Sequence, residues 1–442
     1  MSRKHIAVIG AGIAGLSAAW LLAREHRVTL FERNRYFGGH THTVTVDTPL
    51  GPQGIDTGFV VYNERNYPHL TGLFAHLGLP TQATDMSFAA SIADGRLEYA
   101  GSSLDTLFAQ RRQLASPLYW GMLADILRFN RLAKRSLETG DADHLNLGEY
   151  LRRGRFGRRL RDHYLLPMAA AIWSCPTHTM AEFPATSFLQ FFRNHGLLDL
   201  KNRPQWRTVT GGAREYVNRL LHDIGPEAHS DLPAIRVGRA DTGPWVRTAD
   251  DKLHRFDEIV LACHADEALA LIERPSIAET AVLGAFRYQA NHALLHTDAR
   301  LMPRRRKVWS SWNYLAEGGR GGDRVSVSYW MNRLHRLEAG VPDLFVSLNP
   351  LREPATGSVI EEMTYHHPVF DLQALRAQQQ LRCIQGVDRL WFTGSYAGYG
   401  FHEDALCSSV ELVQKGFGIT APWLETGQDT PLPAAVPEAV AS

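Results

Sequence analysis

The sequence predicts an α/β fold in which one parallel sheet is assembled from widely separated segments, with a second domain inserted between them. Three short apolar runs indicate the parallel sheet, because each is followed by a glycine turn or a helical pattern: residues 5–10, 256–263 and 388–394. A helical pattern over about 104–200 and strand-like runs over about 290–368 indicate the insert, an antiparallel sheet with a helical cap.

Length and charge are those of an ordinary globular protein of two domains. The 442 residues include 47 Lys and Arg against 46 Asp and Glu, and a net charge of +1 gives no support to nucleic-acid binding. The four cysteines have neither metal nor redox spacing, as expected for reduced thiols. No run approaches the roughly 20 apolar residues that cross a bilayer. We therefore expect a cytoplasmic protein, with a peripheral position on the inner membrane as the alternative.

The N-terminal segment carries a dinucleotide fingerprint. Gly10, Gly12 and Gly15 stand in G-x-G-x-x-G order between a strand and a helix. Such glycines permit a tight turn, close approach to a pyrophosphate and close packing of the helix on the strand. The free N–H groups of the helix then bind the anion. Glu32 ends the next strand about 20 residues on, where a carboxylate accepts hydrogen bonds from ribose. This motif leaves NAD and FAD open.

Three features favour FAD over NAD. A second glycine pair, Gly38 and Gly39, follows the first unit closely and allows the backbone to approach a long dinucleotide. Asp56 and Gly58 follow another strand, and the parallel sheet continues only after some 200 residues, whereas a simple NAD domain is contiguous.

The C-terminal stretch WFTGSYAGYGFHEDALCSS, residues 391–409, supplies the last part of this site. A strand ends at Gly394, and a glycine-rich loop leads into a helix predicted over 403–416. The N-terminus of that helix would stabilise negative charge on a flavin ring that accepts a hydride. The sequence therefore predicts that both ends of the chain enclose one FAD.

The motifs GAGIAGLSAAWLL, FERNRYFGGH and FTGSYAGYGFHEDAL resemble those of the flavin-containing amine oxidoreductase superfamily, which includes phytoene desaturases and protoporphyrinogen oxidase. LPMAAAIWSCP, RPQWRTVTGGAREYV and TYHHPVFD are similar to a bacterial branch of predicted NAD/FAD-binding proteins. Genes of that branch often lie beside methyltransferases similar to cyclopropane fatty acid synthase, which implies a fatty-acyl or lipid substrate. The resemblance implies a Rossmann-like FAD-binding domain assembled from separated segments, with an inserted substrate domain.

The fingerprint and the resemblance together give a set of predicted FAD-binding residues. Val237 matches the position whose backbone usually holds the adenine. His40 stands where amine oxidases commonly have an arginine. Ser395 stands where many members have an acid that binds FAD. In this chain we expect backbone N–H groups, or Glu403 and Asp404, to make that contact instead. The full set is Gly10, Gly12, Ala14, Gly15, Glu32, Arg33, Gly38, Gly39, His40, Thr41, Asp56, Gly58, Val237, Gly394, Ser395, Glu403, Asp404 and Ala405.

Aromatic residues indicate the substrate pocket, and titratable ones the candidate catalytic groups. The density of rings predicts a pocket lined by Trp173, Trp312, Tyr314 and Tyr329, and core packing is the alternative for each ring. If the reaction forms a double bond, a proton must leave a carbon. His402 is the candidate base, and an ordinary loop histidine is the alternative. Tyr365, His366 and Tyr399 are further candidates. The histidines lack a credible metal-ligand set, so we predict no metal.

The predicted segments are three FAD-binding pieces (1–100, 206–275 and 381–422), a helical cap (101–205), the sheet domain (276–380) and a flexible tail (423–442).

The predicted activity is hydride transfer from a lipid-like substrate to flavin N5. An amine oxidase is the first alternative, although Lys307, the only sheet-domain lysine, lies in a basic stretch. A non-enzymatic lipid-binding protein similar to Rab GDP-dissociation inhibitors is the second alternative.

The basic segment 152–161 and the region around Trp120 suggest contact with anionic lipid or an acidic carrier protein, and a solvated helix face is the alternative.

Overall fold

The computed structural model describes residues 3–173, 180–199, 203–317 and 324–425. The predicted tail lies almost wholly outside these ranges. The architecture is a parallel sheet flanked by helices, joined to a larger, mostly antiparallel sheet and a helical region. The prediction of a mixed α/β fold with an assembled parallel sheet is confirmed.

The parallel sheet draws its strands from both ends and the middle of the chain. Ala7 pairs with Thr29 on one side and Ile259 on the other. The strands are almost fully buried, which explains their continuous apolar runs. In spatial order they are Ala228–His229, Arg27–Phe31, His5–Ile9, Glu258–Leu261 and Leu390–Phe392.

The first helix, Ile13–Ala23, is buried on nearly every side. It packs against the helices Arg214–Ile224 and His402–Phe417, so an apolar surface all round is what its environment requires. Ser17 Oγ lies 2.6 Å from Ser409 Oγ in this interface. The N-terminal and C-terminal segments therefore belong to one core.

The second large sheet has seven strands. The sequence predicts an antiparallel sheet, but the strands Trp312–Ala316 and Phe88–Ile92 pair in parallel. Residues 306–308 form a 3-10 turn, and the strand that follows begins at Trp312. In order the strands are Val359–Val369, Arg287–His296, Phe345–Leu348, Val325–Trp330, Trp312–Ala316, Phe88–Ile92 and Leu97–Ala100.

Three small sheets and the remaining helices complete the molecule. The small sheets contain Thr43–Thr48 and Gly51–Asp56; Tyr62–Asn63, Trp206–Val209 and Thr81–Thr84; and Ala234–Gly238, Trp245–Thr248 and Leu253–Arg255. The other α-helices are Pro68–His76, Leu104–Leu107, Pro117–Thr139, Leu147–Arg153, Arg158–Leu160, Leu166–Trp173, Ala185–Asn194, Ala265–Leu271, Ile277–Leu283, Met331–Leu334, Leu372–Gln380 and Pro422–Glu425. Within the described ranges, no helix has the length and hydropathy needed to cross a bilayer.

Candidate active site

The glycine fingerprint forms a cradle at the N-terminus of the first helix. Gly10 has a φ of +97°, and a Cβ at Gly15 would lie 1.8 Å from the Gly10 carbonyl oxygen. These two glycines therefore close the turn and bring helix and strand together. Gly12 differs, because a Cβ there would meet no heavy atom within 4 Å. No side chain caps this helix, so its first N–H groups remain available to an anion.

The second glycine pair packs directly on the first turn. The Gly38 N–H donates to the Ala11 carbonyl at 2.8 Å. A Cβ at Gly39 would lie 3.1 Å from Gly12 Cα. The two glycine motifs, 26 residues apart in sequence, thus form one continuous backbone surface that faces the same cavity.

Glu32 lies at the edge of this cradle with 5% exposure. Its Oε2 accepts from the Ala11 N–H at 2.8 Å, and its Oε1 accepts from the Asn34 N–H at 2.8 Å. Each oxygen keeps a lone pair for a ribose hydroxyl. Arg33, beside it, also lines the cavity and is paired with Glu267 at 2.6 Å.

The C-terminal segment forms the opposite wall of the same cavity. Gly394, Ser395, Phe401, His402 and Ala405 all line it, and the last two belong to the helix His402–Phe417. The N-cap residue Phe401 supplies no side-chain cap to that helix, although Asp404 in its first turn accepts from the Phe401 N–H at 2.8 Å, and the helix begins at the cavity wall.

The cavity between the two ends has a volume of about 1540 Å³. It begins at the cradle and extends past the seven-stranded sheet into the helical region, where Tyr164, Met168 and Phe191 line it. Two polar atoms of its lining residues, His40 Nε2 and the Tyr396 hydroxyl, are buried without a hydrogen-bond partner among the described residues. Burial lowers the pKa of His40 well below its usual value, so its ring is neutral. The uncapped first helix at one wall, the start of a second helix at the other and an unpartnered ring nitrogen in the lining fit a long dinucleotide that carries a flavin.

The fold and this cavity define a flavoprotein of the Rossmann type. The family model for flavin containing amine oxidoreductases matches residues 13–343. The chain therefore belongs to that family, which confirms the predicted superfamily, the oxidoreductase class and FAD as the cofactor.

Individual relatives are more distant. A putative flavin-containing monoamine oxidase, AofH, from Mycobacterium tuberculosis is 26% identical over 257 residues, which cover 54% of this chain and 53% of that protein. The chain thus spans about half the length of this curated relative. Coproporphyrinogen III oxidase from Propionibacterium freudenreichii is 42% identical, over 82 residues that cover 18% of this chain and 15% of that protein.

Two solved structures share the fold over nearly the whole chain. A CLA-producing fatty acid isomerase from P. acnes has a TM-score of 0.67 at 16% identity, covering 94% of this chain and 99% of that one. Putrescine oxidase bound to putrescine has a TM-score of 0.66 at 16% identity, with the same coverage. At this identity the likeness shows the fold alone.

Three predicted FAD-binding acids have other partners, and we correct their assignment. Asp56 accepts from the Ala213 N–H at 2.9 Å, beside the helix Arg214–Ile224. Glu403 accepts from the N–H groups of His69 and Leu70 at 2.7 and 2.9 Å, and so caps the helix Pro68–His76. Asp404 accepts from the Phe401 N–H at 2.8 Å. Each carboxylate satisfies backbone donors behind the cavity wall and does not line the cavity.

Three other residues of the predicted set also lie outside the lining. Gly15 acts by packing, as described above. Thr41 is buried and bonds to the hydroxyl of Tyr216. The Val237 carbonyl accepts from the Glu273 N–H at 2.8 Å, and Pro233, Ala234 and Ile235 meet the cavity instead. The remaining members of the set line the cavity: Gly10, Gly12, Ala14, Glu32, Arg33, Gly38, Gly39, His40, Gly58, Gly394, Ser395 and Ala405.

Some of the predicted substrate and catalytic residues line the cavity, and others do not. Trp312, Tyr329, Tyr365 and His366 line the cavity. Tyr314 is fully buried in a core beneath Trp312, and Tyr399 is absent from the lining, so both are corrected. The side chain of Trp173 lies outside the part of the chain that the structure describes. The Tyr365 hydroxyl lies 2.7 Å from Thr57 Oγ1, and burial raises its pKa, so the phenol is neutral.

His402 lines the cavity, but its environment argues against the role of base. Its ring stacks on Phe59 with centroids 3.9 Å apart, and its Nε2 lies 2.7 Å from the Tyr216 hydroxyl. Burial lowers the pKa of His402 to about 3, and the positive end of its helix also disfavours the imidazolium. A group of that pKa accepts a proton poorly near neutrality.

We therefore expect His402→Gln to keep flavin reduction within about threefold of the wild-type rate. Glutamine retains a polar atom for Tyr216 but cannot act as an imidazole base. The measurement is anaerobic flavin reduction at several pH values, with Tyr216→Phe as the control that removes only the partner hydroxyl. A loss of about a hundredfold or more, the size of a general-base contribution, would restore His402 as the base.

The buried carboxyl of Glu403 is expected to make the stability of the folded protein depend on pH. Burial raises its pKa to about 8, although the two backbone N–H donors lower it. Between its ordinary value of 4.5 and about 8 the folded protein therefore retains a proton that the unfolded chain releases. Its contribution to stability is complete below the lower value and is lost as pH rises to the upper one. Burial raises the pKa of Asp56 and Asp404 to about 7, which acts in the same direction.

We expect the melting temperature to fall between about pH 6.5 and 8.5, and to fall less in Glu403→Gln. Buried histidines such as His402 act in the opposite direction, but only below about pH 6.5, where the unfolded imidazole gains a proton. Thermal unfolding across this range is the measurement. Glu411→Gln is the matched control, because Glu411 lies on the same helix with 46% side-chain exposure. A melting temperature that rises over this range would contradict the assignment.

No sequence pattern indicates several residues of the site. Phe59 and Tyr216 hold His402, and Phe191 and His195 stack with ring centroids 3.8 Å apart in the cavity wall. They come from three distant segments with no shared motif. The predicted absence of metal stays a prediction, and the described residues contain no group of three or more candidate ligands.

Proposed function

We propose that the chain catalyses FAD-dependent oxidation of a fatty-acyl or other lipid-like substrate, with transfer of a hydride from a substrate carbon to flavin N5. The observation that carries the proposal is the continuity of the cofactor cradle with a large apolar chamber. Bound FAD supplies the hydride acceptor. The chain binds and orients both molecules and excludes water between them.

The chamber favours a long apolar substrate. The whole cavity, about 1540 Å³, has room for more than one ligand of ordinary pocket size, as binding of both FAD and a substrate requires. Away from the cradle its wall is formed mainly by apolar and aromatic side chains from the seven-stranded sheet and the helical region, such as Phe88, Met168, Ile172, Leu197, Trp312 and Leu348. Burial of each CH₂ group of an acyl chain contributes about 0.8 kcal/mol.

One acidic side chain of this chamber, Asp85, is already paired. Asp85 lines it, and its Oδ2 lies 2.5 Å from Arg333 Nη2. Burial raises the pKa of Asp85, but hydrogen bonds from Ser87 and Arg333 outweigh this and lower it, so the carboxylate is ionised and satisfied. A cationic substrate would have to compete with Arg333 for it, whereas a neutral chain would not.

An amine oxidase is the second candidate. The names of AofH and putrescine oxidase favour it, as does the aromatic wall in which Phe191 and Phe401 stack with centroids 5.0 Å apart. An amine oxidase is expected to have a lysine of the sheet domain in its active site, and this chain differs from that expectation. Lys307 pairs with Asp105 at 2.5 Å on the surface, and no lysine lines the cavity within the described ranges.

A non-enzymatic lipid-binding protein is the third candidate. The intact cradle and the family match argue against it, because a chain that binds no flavin has no need of an uncapped helix end beside paired glycines.

The experiment is anaerobic mixing of the purified flavoprotein with two substrate panels, saturated and unsaturated acyl lipids in detergent and primary and secondary amines. Bleaching of the flavin by acyl lipids is the expected result. Bleaching by amines alone would replace the proposal with the amine oxidase. A folded protein that retains FAD but is bleached by neither panel, or one that binds no flavin, would reject both oxidases.

A further inference from the structure

An exposed apolar patch lies on the helical region, at the segments 104–114 and 117–139. Five of the fourteen large apolar side chains that are exposed in the described ranges lie within residues 104–127, so they are concentrated rather than scattered. The members of this apolar patch are Leu104, Leu114, Leu118, Trp120 and Leu127, with exposures of 75, 50, 66, 49 and 50%.

The helix that carries three members of the patch is anchored to the core by its buried face. In the helix Pro117–Thr139, Tyr119, Met122 and Phe129 are buried against the core. The opposite face therefore presents Trp120 and Leu127, which are two turns apart. The Trp120 ring packs on Phe108 with centroids 5.1 Å apart, and its Nε1 donates to the Leu114 carbonyl at 2.9 Å.

A positive flank borders the patch. Residues 111–161 contain twelve Arg and Lys against five Asp and Glu, in a chain whose net charge is only +1. The segment 152–158 packs beside the helix, because Arg128 Nη1 donates to the Gly154 carbonyl at 2.9 Å and Asp125 accepts from the Gly157 N–H at 2.8 Å. The exposed arginines of this basic flank that have no ion pair with any described residue include Arg131, Arg135, Arg152, Arg153, Arg155 and Arg158.

The patch and the flank frame an opening of the active-site cavity. Gly101 and Ser102 are exposed and also line the cavity, so the cavity reaches the surface there, two residues before Leu104. Tyr164, another lining residue, follows the basic flank, and the Tyr99 hydroxyl donates to the neighbouring His163 carbonyl at 2.6 Å. A second opening, at Glu361 and Glu362, is acidic.

We propose that this face docks on a bilayer that contains anionic phospholipid. The apolar patch enters the boundary between headgroups and acyl chains, and the basic flank contacts lipid phosphates. Arginine cations alone would also suit an acidic carrier protein, but five exposed apolar side chains beside them favour a lipid surface. Entry of a lipid substrate through the Gly101–Ser102 opening rests on the proposed function, whereas the docking itself does not.

The test is co-sedimentation of the full-length flavoprotein with vesicles of phosphatidylglycerol and phosphatidylcholine, and with vesicles of phosphatidylcholine alone. We expect binding to the anionic vesicles that weakens with salt and falls at least about tenfold with phosphatidylcholine alone. The variant Leu118→Glu/Trp120→Glu and the variant Arg152→Glu/Arg155→Glu should each weaken binding at least about tenfold while retaining the flavin spectrum.

Leu253→Glu/Ile277→Glu is the matched control, because these side chains are 44 and 90% exposed elsewhere on the molecule. It should bind vesicles as the wild type does. No binding to anionic vesicles, equal loss in the control, or binding to an acidic carrier protein but not to vesicles would overturn the proposal. Vesicle binding without any bleaching by acyl lipids would reject the proposed function alone.

Discussion

Gly12→Val is expected to abolish FAD binding while leaving the protein folded. The Gly12 φ of −70° suits any residue, and a Cβ there meets no protein atom within 4 Å. Valine would therefore cost the fold little. Its methyl groups would instead occupy the space where the pyrophosphate approaches the first helix. We expect the Kd for FAD to rise at least about a hundredfold, or roughly 2.7 kcal/mol. Flavin content after purification and titration with FAD are the measurements.

Gly121→Val is the matched control, because Gly121 is exposed on the helix Pro117–Thr139 and also has no atom within 4 Å of a Cβ. It should retain FAD, and the FAD-free forms of both variants should melt within a few degrees of the wild-type apoprotein. If Gly12→Val keeps stoichiometric FAD, the cofactor does not lie on the first helix, and the site must be reassigned.

Leu197→Asp is expected to disable the substrate chamber selectively. Leu197 is partly buried and lines the cavity, so the aspartate would place a carboxylate against an apolar chain. We expect the apparent KM for acyl lipids to rise at least about tenfold, which corresponds to roughly 1.4 kcal/mol. FAD content should not change, because the cradle is not touched. The measurement is flavin reduction over a range of substrate concentrations.

Leu197→Met should behave as the wild type, because it conserves apolar volume. Leu253→Asp, a change at a 44% exposed position outside the cavity, should do so too. An unchanged KM in Leu197→Asp would mean that the substrate does not enter this chamber. A lower KM for amines in that variant would favour the amine oxidase.

Local backbone requirements made the cofactor half of the site predictable. The glycines at positions 10, 12, 15, 38 and 39 are each required by close approach or by a turn, and such requirements appear directly in the sequence. The strands at both ends of the chain were equally clear, because buried parallel strands are continuous apolar runs.

The acids and rings were less predictable, because their partners depend on tertiary contacts. Glu403 stands near a cofactor loop in sequence, but its carboxylate turns toward a helix end contributed by residues 68–76. Tyr314 shares a strand face with Trp312, yet only the latter reaches the cavity. Alternation fixes the face of a side chain but not its depth beneath neighbouring elements.

Hydrogen exchange of the apoprotein with and without added FAD tests the central claim most directly. If one dinucleotide lies between the two ends of the chain, FAD should slow exchange both in residues 10–14 and in residues 394–405. Protection of only one of these segments, in a protein that binds FAD stoichiometrically, would contradict the account.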